Sequence, residues 1–345
     1  MLSQIRFLVF LLIALLFYPY AAVSASDEPA GFRNDYPKGT PIIKAATNLA
    51  PIRFIIDRIG GEYVDSVSII PPGFDPHTFE PKPSQLALLN QADVYFSLNT
   101  PLEQVWIERF MALNSRMALV NLMDGLKGTN MLLADTHMHA HEHDEGHEHE
   151  GAHGNDPGHE HSEAEHAAQE MAYDGHDSHV WMSPYFLKLI AGEVCKEFSR
   201  QMPQQAAYFQ KNLAAFNEKA DQVAVRVRAL LKDLPESKKT FLVFHPSWAY
   251  FAKEFGLTQL AVEHEGKEPT PAYLAMLIDD ARNKGISVIF VQKEFNPAIA
   301  ATVASHLPDG RVVTLDPLGY DCFKSIEETA AAISGKPLPL PEEGK

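Results

Sequence analysis

The run from Gln204 to Leu234, about 30 residues, contains neither glycine nor proline, and on each side of it lies a separate alternation of short apolar runs and helical patterns. Its apolar positions include Phe209, Leu213, Phe216, Ala220, Val223, Val227 and Leu230, close to helical spacing. At 1.5 Å per residue the run predicts a helix on the order of 45 Å long, stiff enough to connect two lobes. Before it, Ile42–Ala46, Val64–Ile70, Asp93–Leu98 and Met117–Leu122 read as strands separated by helices. After it, Thr240–Phe244, Leu257–Val262, Ile286–Val291 and Arg311–Leu315 repeat that plan. Strands alternating with helices predict parallel sheets covered on both faces. The expected fold is therefore α/β, with two lobes, each a mostly parallel sheet flanked by helices, joined by one long rigid helix.

The remaining segments divide around this plan. Residues 1–25 carry a positive Arg6, an apolar run Phe7–Phe17 and the small residues Val23-Ser24-Ala25, the pattern of a secretory signal peptide. The run is short for a hydrocarbon core of about 30 Å, so cleavage is expected rather than a membrane anchor. No cysteine follows the apolar run, which argues against a lipid-anchored N-terminus, and no later segment reads as membrane-spanning. Residues 26–40 are polar with Pro and Gly and read as a flexible leader. The N-terminal lobe is expected over 41–200, the connector over 201–235 and the C-terminal lobe over 236–345.

A histidine- and acid-rich insert, about 128–176, interrupts the first lobe and has little to bury, so it reads as disordered. Ten of the chain's 16 histidines lie there: His137, His139, His141, His143, His147, His149, His153, His159, His161 and His166. Imidazole and carboxylate in alternation bind divalent metals weakly and in many arrangements. The formal net charge of −16 is partly concentrated in this insert and disfavours nucleic acid and anionic membranes as partners. The two cysteines, Cys195 and Cys322, allow either a disulfide, which export permits, or two separate buried thiols.

Three histidines outside the insert have a distinctive placing. His77 follows the strand Val64–Ile70, His245 ends the strand Thr240–Phe244, and His179 directly precedes a helix. Asp316 ends the strand Arg311–Leu315. Ligands of open α/β sheets bind beyond the carboxyl ends of strands. Three imidazoles and one carboxylate suit tetrahedral zinc, and imidazole selects Zn, Cu, Ni or Fe over Mg or Ca. Asp75 and Asp177 stand close enough in sequence to orient the rings of His77 and His179. Neutral imidazoles would lose the metal below about pH 6.

At these residues the chain resembles the cluster A-I solute-binding proteins of metal ABC transporters, most closely the zinc-uptake (ZnuA-like) branch. The resemblance is carried by Asp75-Pro76-His77-Thr78-Phe79-Glu80-Pro81, Asp177-Ser178-His179-Val180-Trp181-Met182-Ser183-Pro184, Phe244-His245-Pro246-Ser247-Trp248, Glu265-Gly266-Lys267-Glu268-Pro269 and Leu315-Asp316-Pro317-Leu318-Gly319. It implies metal in a cleft between the lobes, ligated by His77, His179, His245 and Asp316, with water or another carboxylate as substitutes for Asp316. It implies Zn2+ as cargo, a periplasmic monomer, and an inner-membrane ABC permease with its ATPase as partner. The manganese branch has Glu where this chain has His245. A zinc hydrolase is the rival enzymatic reading, without an HExxH motif to support it, and a buffer acting through the insert alone is a third.

Overall fold

The computed structural model describes residues 31–133 apart from 34 and 38, then 175–263 and 269–338. The signal-peptide reading, the ten insert histidines and most of the Glu265–Pro269 motif lie outside the described residues. Among these residues the first sheet contains β1 (Ile43–Thr47), β2 (Val64–Ser68), β3 (Val94–Ser97) and β4 (Ala118–Asn121), all parallel and in the order β2-β1-β3-β4. The second contains β5 (Thr240–Val243), β6 (Thr258–Ala261), β7 (Val288–Gln292) and β8 (Arg311–Leu315), again parallel, in the order β6-β5-β7-β8. The central strands β1, β3, β5 and β7 are almost wholly buried, because helices cover both faces of a parallel sheet.

The helices begin where proline and short polar residues tell them to. Of the first-lobe helices α1 (Ala50–Gly60), α2 (Pro83–Leu89), α3 (Pro101–Leu113) and α4 (Pro184–Gln201), the last three open on proline, whose fixed φ suits the first helical turn. At α3 the cap is doubled: Glu103 accepts from the backbone N–H of Thr100 at 2.9 Å, from the Thr100 hydroxyl at 3.1 Å and from the Tyr95 hydroxyl at 2.9 Å. Burial pushes this carboxyl up from its usual range. The connector α5 spans Ala206–Leu231, preceded by a separate turn at Pro203–Gln205, so it is slightly shorter than its sequence pattern. The second lobe adds α6 (Ala249–Phe255), α7 (Pro271–Asn283), α8 (Pro297–Ser305) and α9 (Cys322–Ser334).

One apolar core runs through both lobes, from Phe32 to Ile333, and a smaller one fills the outer part of the second lobe. Helix α5 sits between α4, α1 and α9 and contributes Phe209, Phe216, Val223 and Val227. At its centre Phe54 of α1 meets Phe323 and Tyr320 at 5.4 Å each, both edge-on, while Phe216 lies 4.8 Å from Phe323. Within the stretch read as a leader, Phe32 is buried, and the Arg33 backbone N–H donates to Asp65 at 2.7 Å.

Candidate metal centre

His77 lies on the loop between β2 and α2. That loop leaves the sheet gradually, since Ile69 and Ile70 still donate to Thr47 and Asn48. It is held at its far end by Gln85, which bonds the Ile69 carbonyl at 2.9 Å and the Lys82 N–H at 2.8 Å. At its tip Asp75 accepts from the His77 N–H at 2.9 Å and the Thr78 hydroxyl at 3.1 Å. Asp75 thus shapes the turn that presents His77 rather than bonding its ring, as a short carboxylate at a turn does.

His179 stands at the start of the 3-10 turn Val180–Met182 that leads into α4. Asp177 accepts from its backbone N–H at 2.9 Å and contacts its Nδ1 at 2.6 Å. Behind it, Trp181 of the same turn donates from its indole to the Pro317 carbonyl at 2.8 Å. His245 follows β5. Its carbonyl accepts from Gln292 at 3.1 Å, its ring stacks on Phe295 at 5.3 Å, and its Nδ1 contacts Glu263 at 2.8 Å. Glu263 reaches that place by register: Val243 pairs with Ala261, and two residues further along both strands His245 stands beside Glu263.

The three rings meet. Nε2 of His245 lies 3.1 Å from Nε2 of His77 and 3.3 Å from Nε2 of His179, and the three ligand atoms all lie within 4.8 Å of one another. Tetrahedral zinc with bonds of about 2.0–2.1 Å puts neighbouring nitrogens about 3.3–3.4 Å apart. An ionised carboxylate at Nδ1 of His179 and of His245 accepts from an N–H there, and a neutral ring held in that way presents the lone pair of its Nε2. Two lone pairs 3.3 Å apart repel each other unless a cation lies between them. His77 is exposed as a residue, but its Nε2 reaches buried His245, and burial of the ring, then the His245 and His179 rings, pushes its pKa down to about 4. Burial also pushes Glu263 up.

Asp316 is not brought into this group. Its Oδ2 is paired with Lys293 Nζ at 2.6 Å, and the expectation of four converging side chains reduces to three. The reason is register again: β7 and β8 pair with Gln292 opposite Leu315, so Lys293 and Asp316 follow side by side. Glu294, which sequence reasoning missed, lines the cleft with the three histidines, and burial pushes its carboxyl up. Glu263 was missed too; only the pairing of β5 with β6, invisible in a linear pattern, places it. Cys195 and Cys322 are buried and unpaired, which corrects the disulfide alternative. They come from α4 and the first turn of α9, each inside the packed core.

A model of the family described as "Zinc-uptake complex component A periplasmic" matches residues 46–333. The zinc-binding protein AdcA of Streptococcus pyogenes is 26% identical over 76% of this chain and 48% of its own length. The high-affinity zinc uptake system protein ZnuA of Brucella abortus is 32% identical over 42% of this chain and 43% of its own. The chain thus spans about half the length of these curated relatives. Among solved structures, a crystal structure of ZnuA has a TM-score of 0.69 at 29% identity, over 86% of this chain and 99% of that one. A zinc-bound ZnuA deletion mutant has the same score and identity, over 87% and 100%. The manganese-bound FpvC of Pseudomonas aeruginosa, 20% identical with a TM-score of 0.63 over 85% and 96%, shares the fold.

Proposed function

The chain belongs to the zinc-uptake complex component A family of ABC-transporter solute-binding proteins, and from that premise we propose that it captures Zn2+ in the periplasm and delivers it to an inner-membrane permease. The observation that carries the reading is the pair of carboxylate-backed imidazoles whose Nε2 atoms face each other at 3.3 Å and face His77. His77, His179 and His245 hold the ion in this proposal, and Asp177 and Glu263 keep two of the rings in the metal-ready tautomer. The ten insert histidines act as auxiliary weak sites. Export by way of residues 1–25, a monomeric state and a permease–ATPase partner complete it.

Manganese is the competing cargo, given the manganese-bound neighbour. Three nitrogen donors favour zinc, because manganese suits carboxylate, carbonyl and water ligands. The test is metal competition against a chromophoric chelator that leaves weak insert sites empty. Wild type is expected to prefer Zn2+ over Mn2+, and His245→Ala to lose more than about a hundredfold in zinc affinity, beyond what loss of a supporting carboxylate costs. Equal zinc affinity in the two proteins would overturn the reading.

A further inference from the structure

We propose that Glu294 guards the position on the cation that the three imidazoles leave free, accepting from the water bound there and keeping anions out of it. The inference rests on the cation-capture reading above and deepens it. Glu294 lines the same cleft as His77, His179 and His245, and so does Gln292. Strand β7 ends at Gln292, and the turn that follows is closed by the Phe295 N–H on the Gln292 carbonyl at 3.3 Å. That turn sends Lys293 to Asp316, at 2.6 Å, and sets Glu294 in the cleft wall. The turn is also held against His245 on either side of Glu294. Gln292 donates to the His245 carbonyl at 3.1 Å, and the Phe295 ring stacks on the His245 ring at 5.3 Å.

Two acceptors in this wall lack a donor. Gln292 spends its amide NH2 on the His245 carbonyl and the Ser247 hydroxyl, at 3.1 Å each, and its Oε1 is buried with no hydrogen-bond partner among the described residues. Glu294 Oε2 is buried and unpartnered in the same sense. The other carboxylate lining the cleft, Asp75, is engaged by the His77 N–H and the Thr78 hydroxyl. A buried acceptor without a donor is costly, and the imidazole lone pairs supply none; water on a cation supplies two. Glu294 is not itself a fourth ligand in this arrangement, because none of its oxygens joins the three nitrogens that lie within 4.8 Å of one another. An oxygen accepting from a metal-bound water stands about 4 Å from the ion and about 5 Å from the ligating nitrogens, given bonds of about 2.0–2.1 Å and a hydrogen bond of about 2.7 Å. Lying in the cleft wall but outside the ligand set is what this role requires. Burial raises the Glu294 carboxyl, and a dication about 4 Å away favours the ionised form. Ionised, it welcomes a neutral donor at the open position and repels an anion.

The test uses the full chain, with Zn2+ for affinity by chelator competition and one equivalent of Co2+ for spectroscopy, counting as cleft signal only what His245→Ala removes. Thiocyanate, a small anion that shifts Co2+ absorption when it binds the metal, probes the open position. Glu294→Gln is expected to bind Zn2+ about tenfold more weakly and to admit thiocyanate about tenfold more tightly than wild type. Asp316→Asn removes the same charge from the neighbouring loop and should move either quantity by less than about threefold. In wild type the Co2+ resonance should broaden in water enriched in a magnetic oxygen isotope. Either affinity within about twofold of wild type in Glu294→Gln, an Asp316→Asn effect as large as that of Glu294→Gln, or an unbroadened resonance overturns the proposal. If wild type has no Co2+ signal sensitive to His245→Ala, the capture reading fails and this inference with it; with that signal present, the overturning results sink this inference alone.

Discussion

Replacing Glu263 by Gln keeps the size of the side chain and an acceptor for Nδ1–H of His245, and removes only the charge. The Nδ1–Oε2 distance is 2.8 Å; adding the ring and a bond of about 2.0 Å to the ion puts the carboxylate about 6.5 Å from a cation on Nε2. A unit charge at that distance from Zn2+ is worth about 1.3 kcal/mol with water's screening and about 5 kcal/mol at an effective dielectric of 20. The Glu263 side chain is 12% exposed, so the answer lies between these limits. Supporting carboxylates behind metal-bound histidines are commonly worth ten- to a hundredfold in affinity, about 1.4–2.7 kcal/mol, inside the same bracket. Glu263→Gln should therefore weaken zinc binding about thirtyfold in chelator competition at pH 7.5. The apo protein should keep its thermal midpoint, because burial already disfavours the Glu263 charge. The rise in midpoint on adding zinc should shrink in proportion to the logarithm of the lost affinity. Affinity within about twofold of wild type would refute the idea that these carboxylates prepare the rings.

Three further outcomes are expected. The unfolded chain takes up a proton at His77 near pH 6.5 and the folded apo protein only near 4, so between these values the unfolded state holds more protons. Apo stability should then fall as pH drops from about 6.5 to about 4, and proton competition at this ligand should set in nearer pH 4 than 6, as an NMR titration of the His77 ring would record. Tyr320→Phe removes the hydroxyl that donates to Asp57 at 2.5 Å and leaves a half-buried carboxylate with fewer donors, for an expected loss of about 1 kcal/mol in urea unfolding. Cys195 and Cys322 are buried and burial raises both thiols, so a thiol reagent should leave them untouched in the native protein and react with both once it is unfolded.

What the sequence made legible follows from the range of each signal. The strands and helices were readable because their patterns are local: buried strands such as Val94–Ser97 are apolar runs, and helices such as Pro184–Gln201 announce themselves with proline. His77 and His245 were readable because strand ends converge in this kind of sheet, and His179 from its place just before a proline-led helix. Asp316 also follows a strand end and is not in the group; it pairs with Lys293, which follows the neighbouring strand at the matching level. Glu263 lies 18 residues from His245 and becomes its partner only once β5 and β6 are in register. Strand-end position is encoded along the chain; side-chain partnership across a ladder is encoded between two stretches at once, and periodicity carries no record of it.

Contacts between the two lobes bear on how a cation would enter and leave. Trp181 to Pro317, Tyr250 to the Asp177 carbonyl at 2.8 Å and Tyr320 to Asp57 each join an element of the first lobe to one of the second. Pulling the lobes apart would break all three, at about 1–3 kcal/mol each where the groups are buried, and would also expose the Phe54, Phe216 and Phe323 cluster. Several kilocalories per mole of opening cost make a wide hinge motion an uneconomical step for either binding or release. The rings then stand in place before the ion arrives, and little binding free energy goes into closing a cleft. Affinity in such a site is governed by what surrounds the three nitrogens, with Asp177 and Glu263 strengthening two of the donors from behind. In the proposed reading, moving the exposed loop that carries His77 would remove one donor without breaking any of the three cross-lobe bonds.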